Sequence, residues 1–134
     1  MTEALSRDLR MAVDIDLDDM TSEYAAMGHN LAVWGQTHAT ANEAFARAKF
    51  AREQVWARKR MEIRETQEAA GKKLTEGSLD ALIVVDPDYE EVKFAEIEAE
   101  AEVGRLRAAV DALRAKKDML VSIGATQRAE MAAQ

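Results

Sequence analysis

Residues 17–48 read LDDMTSEYAAMGHNLAVWGQTHATANEAFARA. One set of positions recurs in this stretch at alternating spacings of three and four: Leu17, Met20, Tyr24, Met27, Leu31, Trp34, His38, Ala41, Phe45 and Ala48. This alternation is the a/d heptad seam of a helix that packs along its whole length. No Pro and no Gly cluster interrupts the chain before Gly71, so the seam predicts one long helix over 14–70 that begins in an Asp-rich capping segment. Beyond the capping segment, the helix could run for about 50 residues, or roughly 75 Å at 1.5 Å per residue.

A helix of this length is too long to be covered by the rest of a 134-residue chain, so the seam predicts a homo-oligomer. A second seam with the same alternation begins at Ala99. The two seams predict an oligomer interface of Leu17, Met20, Tyr24, Met27, Leu31, Trp34, His38, Phe45, Val103, Leu106, Val110 and Leu113. Gly28 and Gly35 lie on one face of the long helix, and their cost in helix propensity indicates the close approach of a second helix.

The remaining elements are short by comparison. They are a helix over about 2–13, a helix over 75–85, a second long helix over 86–123 and a frayed tail over 125–134. Asp86 and Pro87 are typical of the first two positions of a helix, and Gly124 is a typical C-cap. Residues 79–85 fit either a helix or a strand. The chain is therefore predicted to be a single all-α domain, 1–134, that assembles into a helical ring-type oligomer and has the character of a coiled coil.

The composition excludes several classes of site. The chain has no Cys and two His, which leaves no thiolate zinc site, disulfide or multi-histidine metal centre. It has no Gly-rich phosphate loop and no Glu-x-x-His pair, so we predict neither an enzyme nor a bound cofactor or metal. The longest apolar run, 81–85, is far shorter than the roughly 20 residues that span a bilayer. The N-terminal residues do not resemble a signal peptide, so we predict a cytoplasmic protein without membrane contact.

The charge distribution is more informative than the net charge of −7. Residues 47–60 hold six bases and one acid, whereas residues 76–100 hold nine acids and one base. This alternation fits either helices that pair with one another or a local basic surface on an acidic body. Arg52 and Lys59 also occupy the seam phase, where a closed apolar core would disfavour them, and this predicts that they are exposed.

A basic helix face with interleaved aromatics suits single-stranded nucleic acid, because cations bind phosphates and flat rings stack on unpaired bases. The residues predicted to bind DNA are Lys49, Arg52, Trp56, Arg58, Lys59 and Arg60. The alternative is that the aromatics continue the packed seam while the Lys and Arg stems extend over its edge to solvent.

The types and spacing of several of these residues resemble those of the phage recombination mediator (UvsY) family. The resemblance is carried by Ile15-Asp16, Tyr24, Trp34-x-x-x-His38, Phe45, Arg47 and Val55-Trp56-Ala57-Arg58-Lys59-Arg60. It covers about residues 14–60 and continues loosely through the second long helix. The family's basic motif is an aliphatic residue followed by Lys-Ala-Arg-Leu. Here the bases are shifted in register, so Arg58, Lys59 and Arg60 all remain candidates for the matching position.

The resemblance implies a non-enzymatic protein of DNA recombination, repair and replication. Members of the family form closed rings of about six or seven subunits and bind single-stranded DNA. They help to load a RecA-like recombinase onto strands covered by a single-stranded DNA-binding protein. A bacteriophage protein of this kind would act in the cytoplasm of the host cell.

Two other functions are compatible with the sequence. The first is a structural or assembly protein of a phage, such as a scaffold or chaperone, in which Arg58–Arg60 form a solvated face. The second is an acidic inhibitor that mimics DNA with the carboxylates of 86–102. Binding of single-stranded DNA at low salt, and its release as salt rises, would favour the mediator over the structural protein.

Overall fold

The computed structural model describes residues 3–134, which form four α-helices. They are α1 (Glu3–Val13), α2 (Met20–Ala69), α3 (Glu76–Val84) and α4 (Pro87–Ala132). No strand occurs among these residues, which confirms the all-α prediction and its two long helices. Residues 79–84, which also fitted a strand, lie in α3. No helix in this part of the chain is long and apolar enough to cross a membrane.

The long helix α2 begins six residues later than predicted because the aspartates before it form turns and caps. Asp16 Oδ1 accepts a hydrogen bond from the backbone N–H of Asp18 at 3.0 Å, and Asp19 Oδ1 accepts one from Ser22 at 3.4 Å. These side-chain bonds compete with helix formation inside the segment and satisfy free N–H groups at the helix start. The helical part of the predicted 14–70 element is therefore Met20–Ala69.

The end of α2 is a Schellman motif at Gly71, whose φ is +71°. The N–H of Lys72 donates to the carbonyl of Gln67 at 2.8 Å, and the N–H of Gly71 donates to Glu68 at 3.0 Å. Glycine suits this left-handed position because it has no Cβ. The motif stops the helix where the sequence predicts a loop.

The starts of α3 and α4 follow ordinary capping chemistry. Thr75 is the N-cap of α3 and accepts a hydrogen bond from the N–H of Ser78 at 3.2 Å. Asp86 Oδ1 accepts from the N–H of Asp88 at 2.9 Å, directly before the first helical residue, Pro87. The predicted Asp-Pro helix start is thus confirmed.

The C-terminal part of α4 differs from its prediction. The helix continues to Ala132, so the prediction of a frayed tail is wrong for residues 125–132. Gly124 is a buried helical residue and not a C-cap, because an added Cβ there would overlap the Tyr24 hydroxyl. That hydroxyl donates to the Leu120 carbonyl at 2.5 Å. Gly124 therefore permits close packing of two helices, whereas nothing lies within 4 Å of a Cβ added at Gly28 or Gly35, for which this role was predicted.

The chain forms two compact units. In the described residues, one unit comprises 3–41 with 102–134, and the other comprises 42–101. The first unit has the larger apolar core, formed by Met27, Trp34, Ala41, Val103, Leu106, Ala109, Val110, Leu113 and Leu120. In the second unit the buried apolar side chains are Val55 of α2 and Leu79 and Ile83 of α3.

In the first unit, α1 contributes no buried side chain. The buried Lys116 of α4 connects α1 to the rest of the unit by hydrogen bonds. Lys116 Nζ donates to the carbonyls of Ala12 at 2.6 Å and Asp14 at 2.8 Å, and it lies 2.6 Å from Glu23 Oε2. The ammonium group therefore satisfies carbonyls at the C-terminus of α1, where a positive charge also opposes the helix dipole.

Candidate nucleic-acid interface

The predicted DNA-binding residues all lie on α2 within residues 42–101. In this unit α2 runs antiparallel to α4, because Arg52, Trp56 and Lys59 contact Glu96, Tyr89 and Asp88 in turn. The side of α2 that carries these three residues therefore faces the acidic start of α4. Helix α3 adds further carboxylates beside the same part of α2.

Arg52 pairs with Glu96 at the centre of this contact. Arg52 Nε lies 2.5 Å from Glu96 Oε2, and the two side chains are only 22% and 9% exposed. The hydrogen bond from Arg52 is the main reason that the pKa of Glu96 lies below its usual value, and the same bond raises the pKa of Arg52. Lys93 Nζ adds a second positive charge 3.6 Å from Glu96 Oε2. The seam phase predicted that Arg52 is exposed. Its side chain is instead mostly buried and paired with Glu96.

Lys59 is held in the same way by the first turn of α4. Its Nζ lies 2.8 Å from Asp88 Oδ2 and 3.5 Å from Asp86 Oδ2, and its side chain is 16% exposed. The hydrogen bond between Lys59 and Asp88 raises the pKa of the ammonium group and lowers that of the carboxyl group. The predicted exposure of Lys59 is therefore also wrong.

Arg60 binds two carboxylates of α3. Its Nη1 donates to Asp80 Oδ1 at 2.7 Å, and its Nη2 contacts Glu76. Glu76 also contacts Arg64, whose Nη2 lies 3.2 Å from Glu76 Oε1. Three of the six predicted DNA-binding residues are thus neutralised by carboxylates of their own chain. Of the two readings of the charge alternation, this geometry favours helices that pair with one another.

The predicted stacking ring, Trp56, already has an aromatic partner. It is partly buried and packs edge to face against Tyr89, with ring centroids 5.3 Å apart and an interplanar angle of 63°. Such a contact stabilises the junction of α2 and α4 and leaves less of the ring free for a base. Phe45, the other aromatic of the predicted face, is also partly buried.

Two of the six predicted residues remain at the surface of α2. Lys49 and Arg58 are exposed, and neither forms an ion pair with any residue in 3–134. The exposed surface of α2 also contains Phe50 and Arg47, which are not among the six predicted DNA-binding residues. The acidic run at 76–100 could have indicated this arrangement, because it complements the basic run that it covers.

The predicted oligomer-interface residues fall into three classes of exposure. The buried ones are Met27, Trp34, Val103, Leu106, Val110 and Leu113. The partly buried ones are Met20, Leu31, His38 and Phe45, and the exposed ones are Leu17 and Tyr24. The buried members form the core of a single chain, so contact with a second copy would depend on the others.

The described residues contain no group of three or more His, Asp or Glu side chains arranged to hold a metal ion. A cleft of about 310 Å³ lies beside the α2–α3 turn, where Lys72 and Lys73 face Glu68 and Glu76. Its mixed charges give it no evident preference for an anion or a cation.

Comparison with known proteins adds no assignment to this geometry. No family model, no curated protein and no solved structure matches the chain.

Proposed function

We propose that this protein is a non-enzymatic recombination mediator that binds single-stranded DNA. In this function it helps to load a RecA-like recombinase onto strands covered by a single-stranded DNA-binding protein, in the cytoplasm of a phage-infected cell. The observation that carries the proposal is the excess of bases in residues 47–60, six against one acid, in a chain of net charge −7, with Lys49 and Arg58 unpaired at the surface of the described residues. Residues 14–60 also resemble the phage mediators, which bind single-stranded DNA.

The proposal includes assembly into a ring of about six or seven copies. Lys49 and Arg58 alone are too few for tight binding, since each neutralised phosphate contributes only about 0.7 to the slope of log affinity against log salt. A closed ring repeats the same patch around one axis, and linked weak contacts then act at a high effective concentration. The exposed Leu17 and Met11 supply apolar surface that a neighbouring copy would cover.

The test combines DNA binding with a measurement of mass. A fluorescently labelled 30-nucleotide poly(dT) is titrated with the protein at increasing salt, with a duplex of equal length as the control. Sedimentation under the same conditions should give a species several times 14.9 kDa. We expect binding of the single strand at 50 mM salt that weakens steadily towards 200 mM. Absence of binding at 50 mM salt would refute the proposal, and a monomer would refute the ring.

A second candidate is a helical structural or assembly protein. The internal pairing of Arg52, Lys59 and Arg60 favours it, because these bases then serve the packing of α2, α3 and α4. A large oligomer that does not bind poly(dT) at 50 mM salt would support this candidate over the mediator.

A further inference from the structure

The exposed surface of α2 carries a row of side chains that does not include the paired bases Arg52, Lys59 and Arg60. Arg47, Phe50, Gln54 and Arg58 follow one another at spacings of three, four and four, so they lie along one side of the helix. This outer stripe is about 16 Å long at 1.5 Å per residue. All four residues are exposed.

We propose that single-stranded DNA binds along the outer stripe, with Phe50 as the stacking ring and Arg47 and Arg58 on phosphates. This inference rests on the proposed function and relocates its contact surface. Arg58 belongs to the originally predicted set, whereas Phe50 and Arg47 do not. Arg52, Trp56, Lys59 and Arg60 then hold the helices together and do not touch DNA.

The ring of Phe50 is more accessible to a base than the ring of Trp56. Phe50 is 60% exposed, whereas Trp56 is partly buried against Tyr89. A base can stack on a ring only where the face of the ring is open to solvent. Stacking of this kind tolerates any base sequence, as a mediator requires.

The cost of freeing the cations also favours the outer stripe. Arg58 has no ion pair within residues 3–134, and Arg47 pairs only with Glu43, one turn away, with both side chains largely exposed. An exposed pair at this spacing contributes little stability, so a phosphate can replace Glu43 easily. Replacing Glu96 on Arg52 would instead leave a buried carboxylate without its main partner.

The electrostatic surroundings distinguish Phe50 from the other equally exposed phenylalanine. Phe94 on α4 is also 60% exposed, but Glu90, Glu91 and Glu98 lie within one turn of it. These acids would repel a phosphate chain. Around Phe50, the outward-facing residues 46–58 include the bases Arg47, Lys49 and Arg58 against one acid, Glu53.

The experiment uses two pairs of matched variants in the full chain. Phe50→Ala is compared with Phe94→Ala, and Arg58→Ala with Arg107→Ala on α4, by anisotropy of labelled poly(dT). We expect Phe50→Ala to weaken binding roughly 5- to 150-fold, since stacking contributes about 1–3 kcal/mol per base. Arg58→Ala should reduce the slope of log affinity against log salt by roughly 0.7 per subunit contact. The two control variants should bind like the parent.

A gain-of-signal variant completes the test. Phe50→Trp preserves a stacking ring, so it should bind like the parent, and its added fluorescence should be quenched by poly(dT). If the parent binds poly(dT) while Phe50→Ala binds as well as Phe94→Ala, the outer stripe is refuted but the proposed function stands. If the parent does not bind, the proposed function itself fails. Circular dichroism and sedimentation establish that each variant keeps the fold and assembly of the parent.

Discussion

The pair formed by Arg52 and Glu96 gives the sharpest prediction about the fold of residues 42–101. Arg52→Met removes the hydrogen-bond donor and leaves the carboxylate of Glu96, only 9% exposed, without its main partner. Breaking a buried pair in this way commonly costs about 3–5 kcal/mol. Lys93 remains 3.6 Å from Glu96, and Arg52 itself is partly exposed, so we expect a loss of about 2–3 kcal/mol in the free energy of unfolding.

The assay is urea denaturation followed by circular dichroism at 222 nm, for the two single variants and the double variant. Arg52→Met with Glu96→Met removes both charges, and this replacement should leave the stability within about 1 kcal/mol of the parent. The double-mutant cycle then isolates the coupling between the two residues. If Arg52→Met unfolds at the same urea concentration as the parent, or if the double variant is less stable than either single variant, the pair does not contribute as argued.

The same pair predicts a dependence on pH. Its hydrogen bond from Arg52 holds the pKa of Glu96 below the usual value in the folded chain. A carboxyl group with a lowered folded pKa stabilises the fold above its unfolded pKa, about 4.3, and this stabilisation is lost as the pH falls through the folded value. As the pH falls below 5, the free energy of unfolding of Glu96→Gln should therefore decrease less than that of the parent. Parallel pH profiles for the parent and Glu96→Gln would contradict this assignment.

Four further substitutions test the packing of residues 3–41 with 102–134, each by urea denaturation. Gly124→Ala should destabilise by about 1–3 kcal/mol because its Cβ would overlap the Tyr24 hydroxyl, whereas Gly28→Ala, in open space, should stabilise by up to about 1 kcal/mol. Lys116→Met should cost about 3 kcal/mol, since the lysine is only 5% exposed, and hydrogen exchange should increase in α1. Trp34→Ala should cost about 3–5 kcal/mol, and unchanged stability would mean that its ring is not part of the core.

The fold could be predicted from the sequence wherever the signal was local. The three-and-four spacing located both long helices, and Asp86-Pro87 marked the start of the second one. Gly124 shows the limit of local signals, because a glycine after a helical run is typical of a C-cap. Its actual role depends on Tyr24, which is 100 positions away in the sequence and adjacent only in the folded chain.

The exposure of the predicted DNA-binding residues could not be predicted from the sequence, and the reason is geometric. Spacing shows which residues share a face of α2, but it does not show whether that face meets solvent or another helix. Arg52 and Lys59 follow the heptad seam into contact with α4, where Glu96 and Asp88 replace the apolar partners that a seam usually has. Predicting this contact requires the antiparallel register of the two helices, which the heptad spacing does not determine.

If the chain binds single-stranded DNA as proposed, DNA release and unfolding should depend differently on salt. Arg52 Nε and Glu96 Oε2 lie 2.5 Å apart and both side chains are mostly buried, so salt screens this pair weakly. Contacts between Arg58 and a phosphate would lie in open solvent, where counterions compete directly. Between 50 and 200 mM salt, poly(dT) should therefore dissociate while the circular dichroism at 222 nm stays constant. If helicity fell together with binding, the Arg52–Glu96 pair would itself be a salt-sensitive contact. The division of α2 into a packed face and a DNA-binding stripe would then be untenable.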